Sequence, residues 1–250
     1  MNNTTASLPL MLKQLRLSVV RTHWEAVAEK ALNDHWSPQQ YLAELCNMEL
    51  ANREDKRLTR YLKESGLPSG KQLGSFDFDA IEGVSKAQIK TLIDSPSWVK
   101  TGDNLLIFGA SGIGKTHLAS SIGNGLIEAG IRVKFSSANV LVQQLQKAKQ
   151  GLRLEDALLK LDKYAVLILD DIGYIRKTDQ ETSVLFELIA HRYERHSLII
   201  TSNQSFEDWD ELFDNTVMTV AAIDRLVHHA KILQCQGESY RRKAMLKSKD

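Results

Sequence analysis

LLIFGASGIGKTHLASSIGNGLIEAG, Leu105 to Gly130, is the stretch on which the reading of the whole chain turns. Leu105–Phe108 is an apolar run of strand length, and residues 116–130 read as a helix. Between them stands Gly109-Ala110-Ser111-Gly112-Ile113-Gly114-Lys115-Thr116, which satisfies G-x-x-x-x-G-K-[ST] in the strand-to-helix setting that gives this spacing its meaning. The glycines let the backbone curl so that successive N–H groups point at phosphate oxygens, and the helix N-terminus adds positive dipole. Lys115 brings a point charge to the β- and γ-phosphates, and the Thr116 hydroxyl can ligate Mg²⁺.

Working outward, Ala165-Val166-Leu167-Ile168-Leu169-Asp170-Asp171 is a second apolar run, ended by two acids. In a parallel sheet it delivers carboxylates to the edge where the phosphate loop lies. Asp170 would hold Mg²⁺ directly or through water, while Asp171 could orient or deprotonate the attacking water. Strand alternation turns the two to different sides, so they cannot serve equivalently; either might instead cap the following turn. A third run, Leu198–Thr201, ends in Ser202-Asn203. Asn203 there can reach the water at the γ-phosphate, or simply form the turn. Arg192, Arg195, Arg225 and Arg241 are candidates for stabilising charge on the transferring phosphoryl group.

Ile131–Phe135 and Lys231–Cys235 complete five expected strands, alternating with helices near 115–129, 138–149, 154–162, 179–195 and 216–229. Runs such as AVLIL, apolar on consecutive positions, belong to strands buried on both faces, hence a parallel sheet between helices. The first 65 residues read as helical instead. Leu8, Leu12, Leu15 and Val19 recur at helical spacing, and Ser37-Pro38-Gln39-Gln40 has an N-cap, a first-turn Pro and a capping-box Gln. That second helix should stop at Gly66, with Pro68 beyond. The expected domains are therefore 1–66, all-α, and 67–250, α/β.

The chain has 250 residues, 43% hydrophobic and 25% charged, with 32 Lys+Arg against 31 Asp+Glu and a net charge of +1. No run approaches the ~18 apolar residues of a membrane span, and the N-terminus lacks the basic start and cleavage site of a signal peptide. Two cysteines, Cys46 and Cys235, are too few for a zinc site or a disulfide scaffold. A cytoplasmic protein is expected. The even total conceals polarity: residues 164–224 carry 4 basic and 12 acidic side chains, net −8, and residues 225–250 carry 7 and 2, net +5. Solvated helix faces account for such blocks, as would contact between an acidic face of one subunit and a basic face of the next.

Taken together these residues resemble the AAA+ ATPases, and within them the helicase-loader and transposition-helper branch, IstB-like above all. The resemblance rests on GASGIGKTHLASSIGNGLIEAGIRVKF, YAVLILDDIGY, FELIAHRYERHSLIITSNQSFEDW and IDRLVHHAKILQCQGESYR, and covers roughly residues 70–243. It implies an α/β fold: a P-loop AAA+ domain with a parallel sheet between helices, preceded by a small all-α N-terminal domain. It further implies ATP and Mg²⁺ as cofactors. By position, Gly109 to Thr116 is Walker A with His117 following at the nucleotide, Asp170 and Asp171 are Walker B, and Asn203 is sensor 1. Arg225, after Asp224, falls where this branch places an arginine finger given to a neighbour's nucleotide, and Arg241 is in the sensor 2-like position. Two departures stand out. Asp171 replaces the Glu of many AAA+ proteins, one methylene longer. The chain also ends soon after Arg241, so no C-terminal helical lid is expected.

Arg53, Lys56, Arg57 and Arg60 recur at i, i+3, i+4 and i+7, a basic stripe that Lys63 extends. It is either a solvated face with pairs such as Glu49–Arg53 or a DNA phosphate contact. Lys134, Lys147, Lys149 and Arg153 are candidates to line a channel, and Phe76 and Phe78 to flank adenine or pack in the core. The expected function is an ATP-dependent helper of an insertion-sequence transposase that oligomerises on duplex DNA without sequence preference. Its partners would be duplex DNA, the cognate transposase and further copies of itself. A DnaC-like replicative helicase loader is the alternative, and a non-catalytic nucleotide-gated scaffold a third class.

Overall fold

The structure, a computed structural model, describes residues 4–173, 179–204, 209 and 216–240. The chain divides into two compact units, Met1–Arg60 and Tyr61–Asp250.

The first unit is built from α1 (Thr4–Gln14), α2 (Ser18–Asn33) and most of α3 (Pro38–Ser65). The capping box closes as its residues predict: Ser37 N–H donates to Gln40 Oε1 at 2.7 Å, and Gln40 N–H donates to Ser37 Oγ at 3.3 Å. Gly66, at φ +69°, takes the left-handed conformation that ends the helix. The Leu8–Val19 periodicity suggests one continuous helix, and here the chain differs, breaking after Gln14 with Arg16 at φ +56°. Leu12 and Val20 enter a small core with Val27 and Leu45, whereas Leu15 is 65% exposed. The reason lies on α3. Buried Glu49 accepts the Val19 N–H at 2.8 Å, and Arg53 pairs with Glu49 at 3.0 Å while donating to Arg16 O at 3.1 Å. A carboxylate from another helix thus satisfies the first turn of α2, a cap that local spacing does not reveal.

The second unit holds five parallel strands in the order β2-β3-β4-β1-β5. They are β1 (Asn104–Gly109), β2 (Val133–Ser137), β3 (Val166–Asp170), β4 (Ser197–Ser202) and β5 (Ala230–Cys235). Alternate residues face two separate cores. Leu106, Phe108, Leu167, Leu169, Leu198 and Ile200 pack under α7 (Ala138–Gln150), α8 (Leu154–Leu161), α9 (Asp179–Arg192) and α10 (Thr216–His228). Leu105, Ile107, Val166, Ile168 and Ile199 pack under α4 (Lys86–Asp94), α5 (Ser97–Lys100) and α6 (Lys115–Glu128). Burial on both faces is why these strands read as unbroken apolar runs. The strand order has a functional consequence: β4 lies between β1 and β3, so its C-terminal end stands between the phosphate loop and Asp170.

Arg192 is withdrawn from the phosphoryl-contacting candidates. It is 1% exposed and its guanidinium donates to the carbonyls of Leu161, Tyr164, Ala165 and Ser197 at 3.0–3.3 Å, at the N-terminal edge of the sheet. Burial pushes its pKa down to about 10, with Asp162 opposing. It is a structural clamp joining the ends of α8 and α9 to the starts of β3 and β4.

Candidate nucleotide site

A cavity of about 500 Å³ opens at the C-terminal edge of the sheet, walled by the phosphate loop, Asp171, Thr201 and Asn203. β1 ends at Gly109 with φ +153°, where a Cβ would come within 2.4 Å of Cys235 O on β5. Gly114, at φ +107°, begins α6 and meets the Phe76 ring at a distance that leaves a Cβ 3.0 Å of clearance. Both positions disfavour a side chain on conformation, and Gly109 excludes one on space as well.

Lys115 is buried, and its Nζ donates to Gly109 O at 2.7 Å and Ala110 O at 3.0 Å. The ammonium is thus held inside the loop whose amides would receive phosphate. Thr116, one residue into α6, donates from Oγ1 to Asp170 Oδ2 at 3.0 Å. The other oxygen, Asp170 Oδ1, accepts from Thr201 Oγ1 at 2.7 Å, and the Thr201 hydroxyl in turn accepts the Asp171 N–H at 2.8 Å. Thr201 therefore orients Asp170 and the backbone of Asp171 together. A hydroxyl and a carboxylate oxygen 3.0 Å apart are hard oxygen donors suited to Mg²⁺, with phosphate and water to complete an octahedron.

Asp171 lines the cavity and adopts φ +63°, a left-handed conformation that Asp tolerates better than most residues. Asn203 also lines the cavity, and its Oδ1 is buried without a hydrogen-bond partner among the described residues. Close beneath lies Gly173, where a Cβ would approach Asn203 Oδ1 to 2.8 Å.

The remaining wall comes from the chain before β1. His117 Nε2 lies 3.0 Å from Gln72 O and 3.3 Å from Ser75 Oγ, and its ring meets Phe76 edge-on at 5.1 Å. His117 thereby holds the short turn Leu73–Ser75 over the start of α6. Phe76 lines the cavity; Phe78 packs on Phe76, at 4.7 Å between ring centres, and does not line it. Tyr240 closes from the far side, its N–H donating to Gly112 O at 3.0 Å. Arg241 lies outside the described residues.

Other sequence candidates fall elsewhere. Arg225 is exposed on α10 and does not line its own chain's cavity, and Arg195 is exposed beyond the end of α9. Lys134 Nζ donates to Glu64 O at 3.1 Å, and Lys149 pairs with Glu187 at 2.6 Å and donates to Ser183 Oγ at 2.9 Å. Lys147 and Arg153 are exposed. On α3, Arg53, Lys56, Arg57 and Arg60 are all exposed, with Arg53 paired to Glu49 and Arg57 to Glu54 at 2.6 Å. The residue that sequence reasoning passed over is Thr201. Its signal was a hydroxyl as the last residue of an apolar run, one position before the Ser-Asn pair that drew attention.

Residues 10–248 match the family described as IstB-like ATP binding protein. An insertion sequence ATP-binding protein of Sinorhizobium fredii (strain NBRC 101917 / NGR234) is 49% identical over 244 residues, 98% of this chain and 82% of that protein. The insertion sequence IS21 ATP-binding protein of Pseudomonas aeruginosa is 36% identical, over 96% of this chain and 91% of its own. Among solved structures, the DnaC helicase loader aligns with a TM-score of 0.56 over 71% of this chain and 99% of that one, at 22% identity. A DnaA replication initiator bound to AMPPCP and single-stranded DNA gives 0.57 over 74% of this chain and 55% of its own, at 20% identity. At these identities the likeness to DnaC and DnaA is one of fold.

Proposed function

Because the chain belongs to the IstB-like ATP-binding proteins and carries the AAA+ fold, we propose that it is an ATP-hydrolysing helper of an insertion-sequence transposase. It assembles on duplex DNA, presents or deforms the target for the transposase, and is released or remodelled by hydrolysis. The observation that carries the catalytic part is the shared carboxylate: Asp170 receives Thr116 on one oxygen and Thr201 on the other.

In this reading Lys115 exchanges its two loop carbonyls for the β- and γ-phosphate oxygens, and the loop amides take the rest of the charge. Thr116 Oγ1 and Asp170 hold Mg²⁺, which when bound neutralises charge on the phosphates. Asp171 positions or deprotonates the attacking water and Asn203 fixes it from just beyond the end of β4. Arg225, exposed and remote from its own cavity, acts on the nucleotide of an adjacent copy. Arg241 joins from the segment after Tyr240. Lys56, Arg57, Arg60 and Arg53 on α3 contact DNA phosphates, which makes binding tolerant of sequence and steeply dependent on salt.

The test is particle size by sedimentation with random-sequence duplex DNA, with and without ATP. Large particles that need both ATP and duplex, and that vanish in Lys115→Ala, are expected. Unchanged assembly in Lys115→Ala overturns the account, and assembly on single strands alone transfers it to a helicase loader.

A further inference from the structure

The far edge of the sheet carries a second cluster of chemistry-bearing side chains. Glu194, in the turn after α9, lies beside His228 and His229, at the junction of α10 and β5; one ligand atom from each falls within 4.8 Å of the others. Glu194 Oε1 and His229 Nε2 are 3.7 Å apart. Bonds of about 2.0–2.1 Å to nitrogen and oxygen place neighbouring corners of a tetrahedron roughly 3.3 Å apart, so small side-chain rotations bring the three donors onto one ion.

We propose that Glu194, His228 and His229 form a site for a divalent transition metal ion, zinc above all, at the sheet edge opposite the nucleotide cavity. Two imidazoles and one carboxylate suit zinc or its first-row neighbours rather than Mg²⁺, whose donors are all oxygen. The hydroxyl of Tyr193 lies 2.9 Å from His228 Nδ1. Accepting that N–H would fix the tautomer and present the Nε2 lone pair to the ion, the usual service of a group behind a histidine ligand.

The backbones on both sides are pinned. Glu194 sits at φ +57°, and Gly102, itself at φ +75°, packs so closely on it that a Cβ would stand 3.0 Å from the Glu194 carbonyl carbon. Arg192 clamps the same turn to Ser197 O at 3.2 Å. Across from it, His229 O accepts the Asn104 N–H at 2.8 Å, and the Asn104 side chain joins Leu226 O on α10 to the Leu198 N–H on β4. The donors therefore project from a rigid frame, with a fourth coordination position facing solvent.

The experiment is calorimetric titration of tag-free, full-length protein with Zn²⁺ in excess Mg²⁺, which occupies the oxygen-donor site, followed by Co²⁺ absorption spectroscopy. One ion per chain and the intense visible bands of tetrahedral Co²⁺ are expected. His228→Ala and His229→Ala should abolish both while nucleotide binding persists, since both side chains are exposed. Tyr193→Phe should keep the Co²⁺ spectrum and weaken affinity by about tenfold. Absence of Zn²⁺ binding, or binding that survives the double His228→Ala, His229→Ala substitution, overturns the site.

Discussion

Thr201 shows how much one hydroxyl can organise. It donates to Asp170 and accepts from the Asp171 backbone, so a carboxylate and the bend after it share one partner. Replacing it by the near-isosteric Val leaves Asp170 Oδ1 and the Asp171 N–H without that partner. Thr201→Val should retain nucleotide binding, because the phosphate loop is untouched. Phosphate release should fall on the order of tenfold to a hundredfold, the range seen when the group behind a metal ligand is removed. Steady-state ATPase rates against Mg²⁺ concentration, beside a fluorescent-nucleotide binding curve, measure the two effects separately. Equal loss of binding and turnover would instead assign Thr201 to packing. Lys115 and Thr116 are legible because the phosphate loop is a continuous stretch of backbone, and Asp170 because it ends a continuous apolar run. Thr201 is not, since its importance comes from the strands on either side of it.

Among the elements, α3 was read well at both ends and α1–α2 was not. The start of α3 is written into four consecutive residues, and Ser37→Ala should cost about 1 kcal/mol of stability through loss of the cap. The midpoint of urea unfolding measures it, and Ser37→Asp, which keeps an acceptor, should restore most of the loss. The break between α1 and α2 depends on Glu49 and Arg53, contributed from a helix that begins more than twenty residues later. Periodicity over Leu8–Val19 carries no trace of that contact. The same lesson holds for Arg192. In sequence it was one more arginine near the ends of strands; in the fold it is the hub of four carbonyls, a place no phosphate reaches.

For the whole molecule, the central question is whether an active site is complete within one chain. Arg225 is exposed on α10 and absent from its own cavity wall, the placement that a residue acting across a subunit boundary needs. Arg225→Ala should bind ATP with unchanged affinity yet lose on the order of a thousandfold in hydrolysis, the scale of arginine-finger loss in related phosphoryl transfer. Mixing Arg225→Ala with Lys115→Ala subunits is the discriminating assay. Partial recovery of turnover, from mixed junctions that pair an intact finger with an intact loop, is the expected result. No recovery at any ratio would place the finger elsewhere.

The amino-acid sequence by itself determined the phosphate loop, the acidic strand end, the five parallel strands, the helices between them and the membership in the IstB-like family. Each of these is encoded by contiguous residues: a glycine spacing, an apolar run of strand length, a capping box. Only the tertiary structure decided what stands beside what. The order β2-β3-β4-β1-β5 put Thr201 between the phosphate loop and Asp170. Closure of α10 onto the turn after α9 brought His228 and His229 to Glu194, more than thirty residues away in sequence. The physical reason is the same throughout. A phosphate loop, a buried strand or a capped helix start is specified by near neighbours along the chain, whereas a shared hydrogen bond, a ligand set or the break between α1 and α2 depends on which distant segments the packed fold makes adjacent.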